Sequence, residues 1–439
     1  MTRKSLLVLI GCAGVMWATY CGVARAARVR EIELPGLGPN VQEVPKEISA
    51  KAEEKNPTGA VAKSGNAFAV ELYEKLGQKD GGNLFLSPSS IHTALAMTYA
   101  GARGKTAEQM RGTLHLTLKD EALHAAFAGL IGRLNSPAKD FREKPAYELV
   151  ISNALWGQQG YAFKKEFTQL LEKGYGAPLR EVNYKTDAEG ARRNINAWVE
   201  KQTKEKIKDL IPPGVLNEMT RLVLTNAIYF KSNWARKFEK AATKDGPFHL
   251  AGGKDVTTPM MHQRGRFAYL ETDTFQALEL QYIMRELAMI IVLPKKTANL
   301  RDVEKAFLAE EFVKWAARMD TKEVRVTLPK FKFTSQFRLK GTLDALGMAD
   351  AFKPDVADFS GMTAAEKLFV AEAIHKAFVA VDEEGTEAAA ATAVIMSATA
   401  MPQPVEPKVF TADHPFMFLI RHRATGSILF MGRLSNPKE

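Results

Sequence analysis

Residues 383–407, EEGTEAAAATAVIMSATAMPQPVEP, set the strongest limit on how this 439-residue chain folds. The run has no glycine after Gly385 and no proline before Pro402. A connecting loop of that length is normally rich in Gly, Pro, Asn and Asp. It joins two strand-like stretches, residues 377–381 and 409–410, and carries no bulky side chain over residues 386–393. Counted by twos, Thr386, Ala388, Ala390, Thr392 and Val394 share one face, and Glu387, Ala389, Ala391 and Ala393 share the other. The Thr386 face is uncharged and can enter a packed interior. Four successive alanines also suit a helix, so an alanine-rich helix or a linker is the competing reading. We read the run as a strand held in reserve, which requires a sheet able to accept it.

Hydrophobic residues make up 46% of the chain, enough for a large core. Residues 1–26 have the pattern of a secretory signal: Arg3 and Lys4, an apolar run over 6–23, then Ala24-Arg25-Ala26 before the expected cut. A secreted product, extracellular or periplasmic, is the expectation. Leu9-Ile10-Gly11-Cys12 also reads as a lipoprotein box that would anchor the chain through Cys12, and an uncleaved anchor is a third option. Both cysteines, Cys12 and Cys21, lie in this leader, so the mature chain should have no disulfide and no cysteine metal site. Removing the leader takes three basic residues and lowers the net charge from +10 to +7. That charge is scattered, as on a solvated surface, and no nucleic-acid site is expected.

Residues 27–60 contain Pro35, Pro39, Pro45 and Pro57 without a sustained period and read as a disordered linker. The folded domain is expected over 61–439. Phe68, Leu72 and Leu76, spaced by four, mark a first helix. A short strand at 83–86 precedes a helix whose start is signalled by Ser87 as cap and Pro88 as first turn. Further helices are expected at 106–113, 120–134, 162–173, 188–207, 300–307, 309–318 and 337–346. Strands are expected at 147–156, 222–230, 267–271, 276–283, 286–293, 322–328, 330–335, 368–381, 408–411, 416–422 and 427–433. Helices crowd the first half and strands the second, without regular alternation. This predicts one large α+β domain with mostly antiparallel sheets.

Motifs for chemistry are missing from the sequence. The eight histidines, His92, His115, His124, His249, His262, His375, His414 and His422, form no zinc-type pair. Gly101-Ala102-Arg103-Gly104-Lys105-Thr106 has glycines two residues apart where a phosphate loop needs four, and it follows a helix. There is no nucleophile elbow, dinucleotide fingerprint or calcium loop. Asp382-Glu383-Glu384 adjoin along a strand, so the carboxylates diverge and do not converge for acid–base work. No enzyme activity, metal or cofactor is expected.

An ordered set of short motifs resembles the serpins, protease inhibitors that act through a large conformational change. The set comprises Asn83-Leu84-Phe85-Leu86-Ser87-Pro88 with Ser90-Ile91, Ile195-Asn196 with Trp198-Val199, and Thr225-Asn226-Ala227-Ile228-Tyr229-Phe230-Lys231 with Trp234. Leu328-Pro329-Lys330-Phe331, Asp358-Phe359-Ser360-Gly361-Met362, Pro415-Phe416 with Phe418, and Phe430-Met431-Gly432-Arg433 complete it. The resemblance implies a fold of three mostly antiparallel sheets, about eight to nine helices and an exposed reactive-centre loop.

It also implies the site. Glu383, Gly385, Thr386, Glu387, Ala388, Ala389, Ala390 and Ala391 would be the hinge of the loop. Ser87, Ser90, Asn226 and His375 would form a polar shutter beneath parting strands, and Trp234, Lys330 and Glu383 a breach at the top of the sheet. The family spacing from Gly385 puts the reactive bond between Thr399 and Ala400, with Met396, Ala398 and Met401 as rivals. A serine protease with a small or medium apolar pocket, elastase-like or subtilisin-like, is the implied partner, held in a covalent 1:1 complex with a monomeric inhibitor. The uncharged inward residues favour an inhibitory member over a non-inhibitory binding or chaperone-like relative.

Overall fold

The computed structural model describes residues 55–78, 81–295, 298–309, 312–364, 367–386 and 406–439. The segment expected as a leader, most of the segment expected as a linker, and residues 387–405 lie outside them. The first helix, α1 (Pro57–Gly77), starts inside the expected linker because Asn56 caps it, accepting a hydrogen bond from the Gly59 N–H, with Pro57 in the first turn. The remaining helices are α2 (Pro88–Tyr99), α3 (Gly104–Thr113), α4 (Asp120–Leu134), α5 (Lys165–Tyr175), α6 (Tyr184–Gln202), α7 (Leu300–Ala309), α8 (Phe312–Ala317) and α9 (Lys340–Ala345).

Among the described residues, fifteen strands build two sheets. The first six are β1 (Leu84–Leu86), β2 (Tyr147–Gln158), β3 (Arg180–Val182), β4 (Leu222–Asn233), β5 (Lys244–His249) and β6 (Asp255–Glu271). Next come β7 (Phe275–Gln281), β8 (Leu287–Pro294), β9 (Asp320–Pro329), β10 (Phe331–Arg338) and β11 (Glu372–Val381). Last are β12 (Gly385–Thr386), β13 (Lys408–Thr411), β14 (Phe416–His422) and β15 (Ile428–Leu434). One sheet has the order β10-β11-β12-β4-β2-β3, and β11 also pairs directly with β4. The other runs β1-β15-β14-β8-β7-β6-β9-β13 with β5 on β6. The second and third expected sheets share one hydrogen-bonded path because β6 is continuous through both. Its Met260–Tyr269 stretch pairs with β9, and Ala268–Glu271 pairs with β7.

Strand β4 is central and buried on both faces. Alternate residues Val223 and Ala227 pack under α6, against Tyr184, Ile195 and Val199. The intervening residues Leu222, Leu224, Ile228 and Phe230 enter the main core, which also contains Phe85, Leu95 and Phe430. Asn226 falls on that second face, over α2. A polar residue there needs partners or costs about 1–3 kcal/mol.

Several boundaries differ from the sequence expectation for local reasons. Helix α6 stops at Gln202, not 207, because Thr203 Oγ1 accepts the Ile207 N–H and Lys204 and Glu205 take positive φ. The helix expected at 337–346 shrinks to α9 because Phe337 and Arg338 pair with His375 and Ile374 on β11. Strands β3 and β5 were not expected, and β6 is far longer than 267–271. Gly246 and Pro247 in β5, and Pro259 and Gly265 in β6, interrupt the pattern that would have revealed them.

Candidate functional site

The site is the seam between β4 and β11, two parallel strands in an otherwise mostly antiparallel sheet. Six residue pairs close its lower part, from Glu372↔Val223 to Ala377↔Ile228. Above them, no pairing joins residues 378–380 to 229–231 among the described residues. At the top the chain turns back through residues 382–384 and re-enters as β12, which pairs with both neighbours. Thr386 sits opposite Val381 on one side and Ser232 on the other. The seam is a wedge: zipped below, split above, with a two-residue strand already seated in its mouth.

Local chemistry fixes that re-entry. Asp382 Oδ1 accepts the N–H groups of Glu384 (2.9 Å) and Gly385 (3.2 Å), which closes a tight turn. Gly385 lies so close to β4 that an added Cβ would stand 2.1 Å from the Ser232 carbonyl, so only hydrogen fits there. Thr386 is 1% exposed, and its hydroxyl shares a 2.7 Å hydrogen bond with the Tyr282 hydroxyl.

The turn is held by charge. Lys330 Nζ donates to Glu383 Oε2 at 2.8 Å, and Thr243 Oγ1 donates to Oε1 at 2.8 Å. Burial opposes ionisation of Glu383, but these donors outweigh it and hold its carboxyl below the usual carboxylate range. Glu384, only partly buried, is likewise held low, by Lys237 and Lys240. Trp234 closes the top. Its indole N–H donates to the Asp382 carbonyl (3.0 Å), its backbone N–H to the Glu384 carbonyl (2.8 Å), and its ring stacks on Tyr282 at 4.6 Å.

Below the split, the four expected shutter residues meet. His375 and Asn226 are register partners across the seam, and His375 Nδ1 donates to Asn226 Oδ1. The opposite ring nitrogen, Nε2, accepts the Ser87 N–H at 3.1 Å, so the imidazole is neutral with its proton on Nδ1. Burial pushes its pKa down to about 3, only partly offset by the Asn226 bond. Asn226 Nδ2 donates to Ser90 Oγ (2.6 Å) and to Asn153 Oδ1, and Asn153 Nδ2 returns a bond to the Ser90 carbonyl (3.2 Å). Ser87 Oγ donates to the Leu429 carbonyl at 2.7 Å. Each side of the seam therefore has its own anchor: Ser87 for His375, and Ser90 with Asn153 for Asn226.

The sequence profile described as serpin (serine protease inhibitor) matches residues 63–437. The chain is a serpin. It is 44% identical to an uncharacterized serpin-like protein of Thermococcus kodakarensis over 85% of each chain. It is 42% identical to the leukocyte elastase inhibitor of Homo sapiens over 84% of this chain and 97% of that protein. The crystal structure of Serpin48 from the insect Tenebrio molitor superposes with a TM-score of 0.76 at 32% identity, over 86% of this chain and 98% of that one. Protease inhibition, in general terms, is the activity this membership supports.

The structure of this serpin brings together Ser87, Ser90, Asn226 and His375 at one end of the seam. Trp234, Lys330, Glu383, Gly385 and Thr386 gather at the other. The expected hinge residues Glu387, Ala388, Ala389, Ala390 and Ala391, and the reactive-bond candidates Thr399, Ala400, Met396, Ala398 and Met401, lie outside the described residues. So does Cys12. Among the described residues no helix is long and apolar enough to cross a membrane, and no group of three or more His, Cys, Asp or Glu could hold a metal ion.

Sequence reasoning missed Asn153, Thr243 and Tyr282. Asn153 had one accessible signal, since an asparagine inside an apolar strand requires a buried partner. Its register partner across β2 and β4 is Asn226. Thr243 and Tyr282 carried none, because both reach the seam through tertiary contacts alone.

Proposed function

We propose that this serpin is an irreversible suicide-substrate inhibitor of serine proteases. The protease attacks the reactive loop, an acyl bond forms, and the freed N-terminal part of the loop enters the β4–β11 seam below Thr386. The observation that carries this reading is the seated pair Gly385–Thr386 at the mouth of a split where, among the described residues, β4 and β11 are not paired with each other. Ala388 and Ala390 then follow on the Thr386 face and add neither bulk nor charge.

The energies permit the step. Roughly a dozen inserted residues, at about 1 kcal/mol per net hydrogen bond and about 25 cal/mol per Å² of apolar burial, give on the order of 10–20 kcal/mol. A typical protease is stable by about 5–15 kcal/mol, so insertion is able to distort the attached enzyme and strand the acyl bond. The intact form is then kinetically trapped. Insertion must unzip the six pairs around the shutter. The separate anchors on His375 and Asn226 keep both side chains partnered as the strands part.

The reactive bond is assigned between Thr399 and Ala400, and an elastase-like or subtilisin-like protease is the target. An exported, monomeric chain acting as a covalent 1:1 trap completes the proposal. Incubation with elastase and with subtilisin, followed by denaturing electrophoresis, tests it. A band at the summed mass of chain and protease is expected, with mass spectrometry locating the cut after Thr399. Cleavage without any covalent band would favour a non-inhibitory binding protein, and a cut before residue 394 within a stable complex would refute the bond assignment.

A further inference from the structure

We infer that a basic cleft on the nine-stranded sheet is a binding site for a compact, multiply charged phosphate ester. The cleft has a volume of about 1000 Å³. Six arginines line it: Arg236 beyond β4, Arg264 and Arg266 on β6, Arg285 between β7 and β8, Arg421 on β14 and Arg423 just after it. Only two carboxylates, Glu279 and Glu323, lie among them, which leaves four positive charges in excess.

Those carboxylates act as struts. Glu279 is 3% exposed and pairs with Arg421 and Arg423, fixing both at the wall. Glu323 takes Arg264 Nε at 2.8 Å. Arg236 donates to the Arg264 carbonyl at 3.0 Å, and its guanidinium fills the space where a side chain at Gly265 would stand, 1.9 Å from a Cβ built there. Arg285 follows Met284 in a turn where both residues hold positive φ, 59° and 60°, a conformation that L-residues rarely adopt. Arg423 Nη1 donates to the Arg285 carbonyl at 3.1 Å, so one arginine of the cleft secures the turn that presents another.

Arg266 and Arg285 have no ion pair or side-chain hydrogen bond among the described residues. Converging cations on a concave wall raise the local potential, and guanidinium forks match phosphate oxygens in pairs. Ala268, Ala316 and Met319 add apolar lining. The size lies at the upper end of the roughly 300–1000 Å³ range of small-molecule sites, which suits a nucleotide-sized ligand. This site does not depend on the inhibitory reading.

Isothermal titration calorimetry on the full chain tests it, with adenosine triphosphate as the ester probe, tripolyphosphate as the same polyanion without the ester, and inorganic phosphate as the single-phosphate control. One molecule per chain is expected, and inorganic phosphate should bind at least tenfold more weakly. The double variant Arg266→Glu with Arg285→Glu should weaken binding more than tenfold, whereas Lys164→Glu with Lys165→Glu, the same charge change elsewhere, should not. The milder Arg266→Gln with Arg285→Gln removes no hydrogen bond and should shift affinity in the same direction, which guards against misfolding. In the unaltered chain, tripolyphosphate should protect Arg266 and Arg285 from phenylglyoxal, read by mass spectrometry. Equal weakening in the arginine and lysine variants, no protection, no heat, or binding confined to long sulfated chains would each overturn the inference.

Discussion

The two ends of the β4–β11 seam solve opposite problems with opposite chemistry. At the lower end, His375 and Asn226 are buried, neutral and joined to fixed neighbours. At the upper end, Glu383 and Glu384 are ionised and gripped by lysines that keep contact with water: Lys330 is 37% exposed and Lys240 63% exposed at the side chain. A charge at the lower end would lose its hydration whenever the strands closed over it, at a cost of several kcal/mol. At the upper end, water compensates a lysine that lets go. The neutral end can therefore part and re-form without stranding a charge, and the charged end can release its latch into solvent.

That contrast can be broken from either end. The largest effect belongs to the inward hinge position. Thr386→Arg puts an unpaired cation between β4 and β11, where burial costs several kcal/mol. The expected result is a more than tenfold loss of covalent complex while cleavage of the loop continues, read by electrophoresis against the unaltered chain.

Next comes the shutter. Asn226→Ala removes the bond to His375 and leaves the Ser90 and Asn153 groups short of a partner, at about 2–3 kcal/mol for the buried polar groups left behind. Urea unfolding should show a lower midpoint, with little change when an exposed asparagine-like position is altered instead.

Acid sharpens the same point. The folded pKa of His375, about 3, lies below the unfolded value near 6.5, so the unfolded chain binds the extra proton. Its contribution is whole above pH 6.5 and is lost as pH falls from 6.5 towards 3. At pH 5 the loss is about 2 kcal/mol from this residue. Buried His92, lowered to about 4, adds in the same direction. Glu383 and Glu384 are held below their ordinary value, so their contribution is present above the ordinary carboxylate range and is lost only as pH falls through it. Stability measured by denaturant at pH 7 and pH 5 should therefore fall, and His375→Gln should flatten the slope over that interval.

The smallest effect is expected at the latch. Lys330→Ala deletes a partly exposed donor and leaves Thr243 on Glu383, so about 1 kcal/mol is expected after allowance for solvent screening. A loss as large as that of Asn226→Ala would erase the difference between the two ends.

The folded frame was largely legible because its signals are local. Four-residue spacing marked α1, Ser87-Pro88 marked the start of α2, and the strand-like run at 377–381 marked the end of β11. The polar residues Ser87, Ser90, Asn226 and His375 came through the family resemblance, and their chemistry then explains why they meet. What escaped was set by contacts distant in sequence. Tyr282 reaches Thr386 across 104 positions, and Thr243 reaches Glu383 across 140. No period in either neighbourhood encodes that meeting. Long β6 escaped because Pro259 and Gly265 read as breaks, whereas Gly265 makes room for the Arg236 guanidinium.

The most direct test is calorimetry on the chain before and after a single nick in the 387–405 segment by a protease that does not stay bound. If the freed segment slides between β4 and β11, the nicked molecule should melt far above the intact one, by tens of degrees. Equal melting temperatures would mean that cutting releases nothing, and the seam would then be a static feature of the sheet.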